Sequence, residues 1–336
     1  MAGETNDVKK SLLLLTLVGS LFMQGCATHR INTRDSFVQV LKTVELAGCG
    51  TDRNNKEIKK CATFAKMSGV GSGVIVWNER SIGGKPRTLV LTADHVCHAE
   101  NRLTQDVLPK HVLDGFKNSN GIEGDVTFNI AEIVISLKDS RGTQFKTESQ
   151  PVLRHVDADI CILESSINQP AIDVARAEPE FGEKIVNISA PYGLMFANPG
   201  GGAVYITEGL FSGNFLDGFN SKSMYTIWTA PGSSGSPLLN DRGEIVGMVS
   251  AISTLTWPRL SPPMVGVSSA PSNITFGPTL SQLQYSVSEA VAALKRGKPF
   301  IYSAKPSEAK AGAETQGSPE AEQYITPFIL EWTLDE

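Results

Sequence analysis

The sequence lacks several patterns that would assign its chemistry at once. It has no basic run or basic stripe and a formal net charge of −5, which argues against a nucleic-acid partner. Its histidines lack the H-E-x-x-H spacing and its cysteines lack a C-x-x-C pair, so we predict no metal site. No phosphate loop is present, and we predict no cofactor. Long helices that alternate with strands are also missing, which disfavours a parallel α/β sheet.

The first 25 residues are predicted to be a targeting segment rather than part of the fold. Two lysines precede an apolar run at 11–23, which is too short for a comfortable membrane span. A small residue and Cys26 follow, and this arrangement resembles a bacterial lipoprotein signal, in which Cys26 is lipidated and begins the mature chain. The resemblance implies an exported protein, anchored through its lipid in the outer membrane and facing the periplasm, because Ala27 and not Asp follows the cysteine. An ordinary cleaved signal peptide and an uncleaved anchor are the alternatives.

Export would place the remaining four cysteines in an oxidising compartment, where disulfides form. Four cysteines allow three pairings. Cys49 and Cys61 flank a short polar loop, and we predict that they pair with each other. Cys97 and Cys161 would then form the second disulfide, although two buried free thiols also fit the sequence.

The middle of the chain, from Val70 to Leu294, consists of short β-type runs separated by turn signals. Many short strands at fairly regular spacing predict an all-β barrel or sandwich. One helix is clear at 279–294, where apolar residues share one face and Gly297 ends the pattern. A short helix is also predicted around 35–46.

These patterns divide the chain into four parts. We place a signal peptide at 1–25, an N-terminal extension at 26–66, a folded domain at 67–297, and a low-complexity linker with an apolar tail at 298–336.

Two segments are candidates for general acid–base chemistry. His95 directly follows a predicted strand and is placed to act as a base near neutral pH, whereas the four other histidines lack this context. Asp159 opens the apolar run 160–163, at the edge of a core, where a carboxylate needs hydrogen-bond donors such as an imidazole N–H. Asp157 faces the same side of the strand and is the alternative acid.

The third segment, 232–237, reads Gly-Ser-Ser-Gly-Ser-Pro and lies between two predicted strands. Glycines beside a nucleophile let the backbone fold tightly. Ser234 is therefore the candidate nucleophile, and the amides of Gly232 and Ser234 are the candidate oxyanion hole.

Together, the segments Thr-Ala-Asp-His-Val, Asp-Ile-Cys-Ile-Leu and Gly-Ser-Ser-Gly-Ser-Pro resemble the three signature blocks of trypsin/chymotrypsin-like serine proteases. The stretches between the second and third blocks are similar to HtrA-like bacterial proteases. The resemblance implies two six-stranded antiparallel β-barrels with the active site between them, and a catalytic triad of His95, Asp159 and Ser234. Ser236 departs from the usual second glycine after the nucleophile, and no recognisable PDZ-like domain follows the barrel pair.

The same resemblance implies residues that line the substrate channel. Trp228 matches the floor of the primary pocket, Ser250 lines the channel and hydrogen-bonds Asp159, and Ala251 follows it. No acid lies at 227–230, so we expect small or medium apolar side chains rather than Lys or Arg at the cleavage site. The function predicted is a serine endopeptidase acting on proteins or peptides. The alternatives are a catalytically silent binding or adhesion protein on the same scaffold and an acyl-transfer enzyme acting on non-peptide esters.

Overall fold

The computed structural model of the chain describes residues 33–79, 85–99, 108–147, 150–193, 204–217, 220–255 and 270–302. The predicted signal segment, the lipidation site Cys26 and the tail beyond residue 302 lie outside these ranges. No helix within them is long and apolar enough to cross a membrane.

The described residues form fifteen strands and three helices. The strands are β1 (Phe37–Asp52), β2 (Lys59–Glu79), β3 (Arg87–Ala93), β4 (Ile122–Asp139), β5 (Gln144–Lys146), β6 (Leu153–His155), β7 (Ile160–Ser165), β8 (Lys184–Ser189), β9 (Tyr205–Asp217), β10 (Asn220–Thr226), β11 (Pro237–Leu239), β12 (Ile245–Met248), β13 (Ala251–Leu255), β14 (Ala270–Pro278) and β15 (Phe300–Tyr302). The helices are α1 (Asp94–Cys97), α2 (Lys110–Asn120) and α3 (Leu280–Arg296).

The strands form two sheets. The first sheet has eight strands in the order β15-β6-β7-β3-β2-β1-β4-β5, and the second has seven in the order β12-β11-β8-β9-β10-β14-β13. Neighbouring strands are antiparallel except β15 and β6, which are parallel. The predicted all-β fold with two sheets and a C-terminal helix is confirmed, with more strands in each sheet than the six that the resemblance implied.

Strand β1 replaces the short helix predicted around 35–46, and that prediction was wrong. Its residues pair with β2 on one side and with β4 on the other, so the strand is central in the first sheet. The backbone N–H and C=O groups of β1 pair with β2 on one edge and with β4 on the other. A helix at this position would leave the facing edges of those two strands without these hydrogen bonds. The folded domain therefore extends beyond the predicted boundaries 67–297 on both sides, since β15 also joins the first sheet.

Helix α3 begins and ends as its sequence predicts. Thr279 caps the N-terminus by accepting a hydrogen bond from the amide of Gln282, whose side chain accepts from the Thr279 amide in turn. Gly297 ends the helix with a φ of 67°, in the left-handed region that favours glycine. Leu283 and Ala290 are fully buried against the main core.

The main core joins the two sheets and anchors the segments that carry the candidate site. Leu91, Ile162 and Val96 from the first sheet and α1 belong to the same buried cluster as Ile188 and Met248 from the second sheet. Burying each such side chain stabilises the fold by about 1.5–3 kcal/mol. Packing in this core therefore fixes the end of β3 and the beginning of β7, next to the first residue of α1.

Both predicted disulfides are present. Cys49–Cys61 joins β1 to β2, and Cys97–Cys161 joins α1 to β7. The second disulfide rules out the alternative of two buried free thiols in this structure.

Candidate active site

His95 lies on the one-turn helix α1, which begins directly after the last residue of β3. Its Nδ1 lies 2.8 Å from Oδ2 of Asp159, and its backbone amide donates a hydrogen bond of 2.9 Å to Oδ1 of the same carboxylate. The carboxylate accepts a hydrogen bond from the Nδ1–H of the ring, and this tautomer leaves Nε2 as the basic nitrogen. With 37% of its side chain exposed, the imidazole remains accessible to a substrate.

Asp159 is the last residue before β7 and has a φ of 55°, an uncommon value for a residue other than glycine. Its carboxylate also accepts a hydrogen bond of 2.5 Å from the hydroxyl of Ser250. Burial alone would raise the pKa of this carboxyl, but the charge of His95 and the hydrogen bonds from His95 and Ser250 outweigh it and hold the pKa below its usual value. Asp159 is therefore an anion that holds His95 by one hydrogen bond to its ring and one to its backbone amide. The alternative acid, Asp157, interacts electrostatically with His155.

Ser234 lies in the loop between β10 and β11, which packs against the base of α1. Gly235 has a φ of 85°, and a Cβ there would collide with the carbonyl of Ser72 and the hydroxyl of Thr92 and lie 2.9 Å from the amide nitrogen of Ala93. Only glycine permits this close approach. Because Ala93 directly precedes α1, the loop that carries Ser234 touches the segment that carries His95.

Ser72, at the start of the buried part of β2, anchors this loop twice. Its amide donates 2.8 Å to the carbonyl of Ser234, and its hydroxyl donates 2.7 Å to the carbonyl of Gly232. The same hydroxyl accepts a hydrogen bond from the amide of Ala190. Among described backbone groups, the amides of Gly232 and Ser234 have no acceptor, as the predicted oxyanion hole requires.

The three predicted substrate-channel residues lie in different surroundings. Ser250 contacts Asp159 directly, and Ala251 is the half-exposed first residue of β13. Trp228 is half-buried and packs its ring against Tyr205 of β9, with 5.5 Å between ring centroids. The structure therefore brings Ser250 to the His95–Asp159 pair and places Trp228 beside a partly exposed aromatic neighbour.

A second layer of contacts supports α1 from below. Arg154 of β6 binds the carboxylate of Asp94 through two hydrogen bonds of 2.6 and 2.8 Å, both partners being largely buried. Asp94 also lies near Cys97 and Cys161 in a geometry that would suit a metal ion. The two sulfurs are joined to each other and the carboxylate is held by Arg154, so these atoms do not fit a metal site.

Sequence reasoning missed Ser72 and the Asp94–Arg154 pair. Ser72 had a usable signal, since glycines on both sides of a serine inside a strand mark a close backbone approach. Arg154 had none, because an arginine in a short polar stretch is usually solvated.

Comparisons with known proteins find a family model and a solved structure that are similar to the chain. The family model described as a trypsin-like peptidase domain matches residues 71–248 of the chain. No curated protein sequence matches the chain significantly. Among solved structures, a crystal structure of Rv3671c from M. tuberculosis H37Rv, an inactive form with one serine replaced by alanine, is similar to this chain at 13% identity. That match covers 77% of this chain and 88% of that chain, with a TM-score of 0.43.

Proposed function

Because this chain belongs to the trypsin-like peptidase domain family, we propose that it is a serine endopeptidase that hydrolyses peptide bonds through an acyl-enzyme on Ser234. The observation that carries the proposal is the chain of hydrogen bonds from Ser250 to Asp159 to His95, set beside the loop that bears Ser234. An imidazole held by a partly buried carboxylate, beside a turn in which a serine is followed by glycine, is the arrangement that acyl transfer needs.

The proposed reaction begins when Ser234 Oγ attacks the carbonyl carbon of the scissile peptide and His95 Nε2 takes the hydroxyl proton. The new oxyanion accepts hydrogen bonds from the amides of Gly232 and Ser234. The imidazolium, stabilised by Asp159, then gives its proton to the leaving amine, and the C–N bond breaks. Water attacks the acyl-enzyme while His95 takes one of its protons, and the tetrahedral intermediate collapses as His95 returns that proton to Ser234 Oγ, which releases the acid.

Protein or peptide substrates with small or medium apolar side chains at the cleavage site suit the surroundings of this loop. The segment 227–230, which precedes this loop, carries no charged residue that would bind Lys or Arg. Trp228 adds apolar surface on the same segment. A peptide library is the direct measurement of this preference, and strong cleavage after Lys or Arg would contradict it.

The test of the proposed activity is labelling by a fluorophosphonate probe combined with casein hydrolysis. Ser234→Ala should abolish labelling and lower the rate by roughly 10⁴–10⁶-fold, while the melting temperature stays near that of the wild type. Ser288→Ala, an exposed serine on α3, is the matched control and should label like the wild type. A folded wild type that neither labels nor hydrolyses casein would support a silent binding protein instead.

A further inference from the structure

Lys42 is a buried lysine in the middle of β1, directly beneath the turn that carries His95. Only 7% of the residue is exposed. Its Nζ donates a hydrogen bond of 2.7 Å to the carbonyl of His95 and another of 2.8 Å to the carbonyl of His98. These two carbonyls are at the C-terminal end of α1, where a positive charge is favourable because helix carbonyls point outward there.

Burying a lysine ammonium costs free energy unless the charge is paired or hydrogen-bonded. Lys42 pairs in register with Gly69 of β2 and Ile135 of β4, which carry no charge. An apolar residue at this central position would fit the core without that cost. The two hydrogen bonds from its ammonium to carbonyls of α1 offset part of the cost of removing this charge from water.

The charged groups that face Lys42 come from outside the sheet. They are Asp94 on α1, which is itself bound by Arg154, and Asp159 in the turn before β7, in addition to the two histidines whose carbonyls the lysine holds. Burial lowers the pKa of Lys42 from 10.5 to about 8, although Asp94 and Asp159 both oppose the shift. The lysine therefore changes its charge within an accessible pH range.

We propose that Lys42 is a positioning residue for the reaction, whose ammonium clamps the carbonyl end of α1 and so holds the His95 imidazole in register with Ser234 and Asp159. This inference rests on the proposed function, because it concerns the geometry of the same site. Lys42 touches no substrate and acts only through the backbone of the turn. A neutral Lys42 has one N–H donor fewer and no positive charge. Its hydrogen bonds to the carbonyls of His95 and His98 therefore weaken when the proton is lost.

Activity and stability should depend on pH in opposite directions, which distinguishes this positioning role from a general loss of structure. Activity should fall as pH rises through about 8, the pKa of Lys42 in the folded chain. The contribution of Lys42 to the free energy of unfolding should instead rise between about 8 and 10.5, because the unfolded chain binds that proton more tightly. Loss of activity without loss of stability is therefore the expected signature.

The experiment compares wild type, Lys42→Met, Lys42→Arg and a control, Lys66→Met, in kcat and KM for peptide hydrolysis from pH 6 to 10. Lys66 is an exposed lysine on β2 and its variant should match the wild type. At neutral pH, Lys42→Met should lower kcat by about 10–100-fold with KM nearly unchanged, as expected for misplacement of a catalytic group. The ratio of wild-type to Lys42→Met activity should then shrink as pH rises above 8. Lys42→Arg keeps its charge and should move the alkaline decline to higher pH.

A ratio that does not change with pH, or a Lys42→Met enzyme as fast as the wild type at neutral pH, would overturn the positioning role alone. If Lys42→Met shows no cooperative thermal transition, the Lys42→Arg profile decides, and an alkaline decline identical to that of the wild type overturns the inference. A folded wild type that is inactive at every pH overturns the proposed function and this inference with it.

Discussion

Replacing Ser72 with alanine tests whether one hydroxyl fixes the loop that carries the candidate nucleophile. The hydroxyl is fully buried, donates to the carbonyl of Gly232 and accepts from the amide of Ala190. Its removal leaves the buried Ala190 amide without its acceptor and the Gly232 carbonyl without this donor. An unsatisfied buried amide costs about 1–3 kcal/mol and the lost hydrogen bond at the half-buried Gly232 about 1 kcal/mol, so together they predict a loss of about 2–4 kcal/mol in the free energy of unfolding.

Thermal unfolding and peptide hydrolysis measure the two consequences of this change. The melting temperature should fall by roughly 5–15 °C, since each kcal/mol shifts a domain of this size by about 2–4 °C. The Gly232 peptide beside the oxyanion hole also loses its anchor, so kcat should fall by about 10-fold or more. Ser212→Ala, which breaks an exposed hydrogen bond between the hydroxyls of Ser212 on β9 and Thr226 on β10, is the control and should change neither quantity measurably. If Ser72→Ala keeps both the stability and the kcat of the wild type, the hydroxyl does not hold the loop and the reasoning fails.

Two further changes test the packing around the site. Gly235→Ala should destabilise the chain by about 3 kcal/mol or more, because its Cβ meets the backbone of Ser72 at a positive φ, whereas Gly182→Ala, also at a positive φ but with open space around it, should cost only about 1 kcal/mol by chemical denaturation. Removing the Cys97–Cys161 disulfide, which closes a loop of 64 residues, should cost about 4 kcal/mol, compared with about 3 kcal/mol for the disulfide between β1 and β2, which closes 12. Equal losses from the two glycine variants, or a larger loss from the shorter disulfide loop, would contradict these estimates.

The parts of the candidate site that the sequence predicts are those with strong local signals. Asp159 stands at the start of an apolar strand, and Ser234 is flanked by glycines that a tight turn needs. The structure brings His95 and Asp159 into direct contact, while the roles of the three residues stay predictions until activity is measured. Lys42 gave no such signal, because a lysine in a mixed segment is usually solvated and its burial depends on strands distant in the chain.

For the fold, too, the sequence predicts the elements that have strong local signals. Short runs of β-branched residues identified β3 and β7, and the caps identified α3. Strand β1 was missed because its structure is decided by pairing on both edges, with β2 and with β4, and long-range pairing overrides weak local preference. Helix α2 was also missed, since its stability comes from Phe116 packing on Phe64 and Phe128 rather than from its own pattern.

The parallel pairing of β15 with β6 has a consequence for how the chain reaches its native state. Phe300 lies opposite Leu153 in this pair, so the first sheet acquires its last strand only after the whole second sheet has been synthesised. Contacts between segments so distant in the chain slow folding, because a large loop must close before the pairing is gained. The turn between β6 and β7, which ends at Asp159, should therefore gain its last neighbouring strand late in folding.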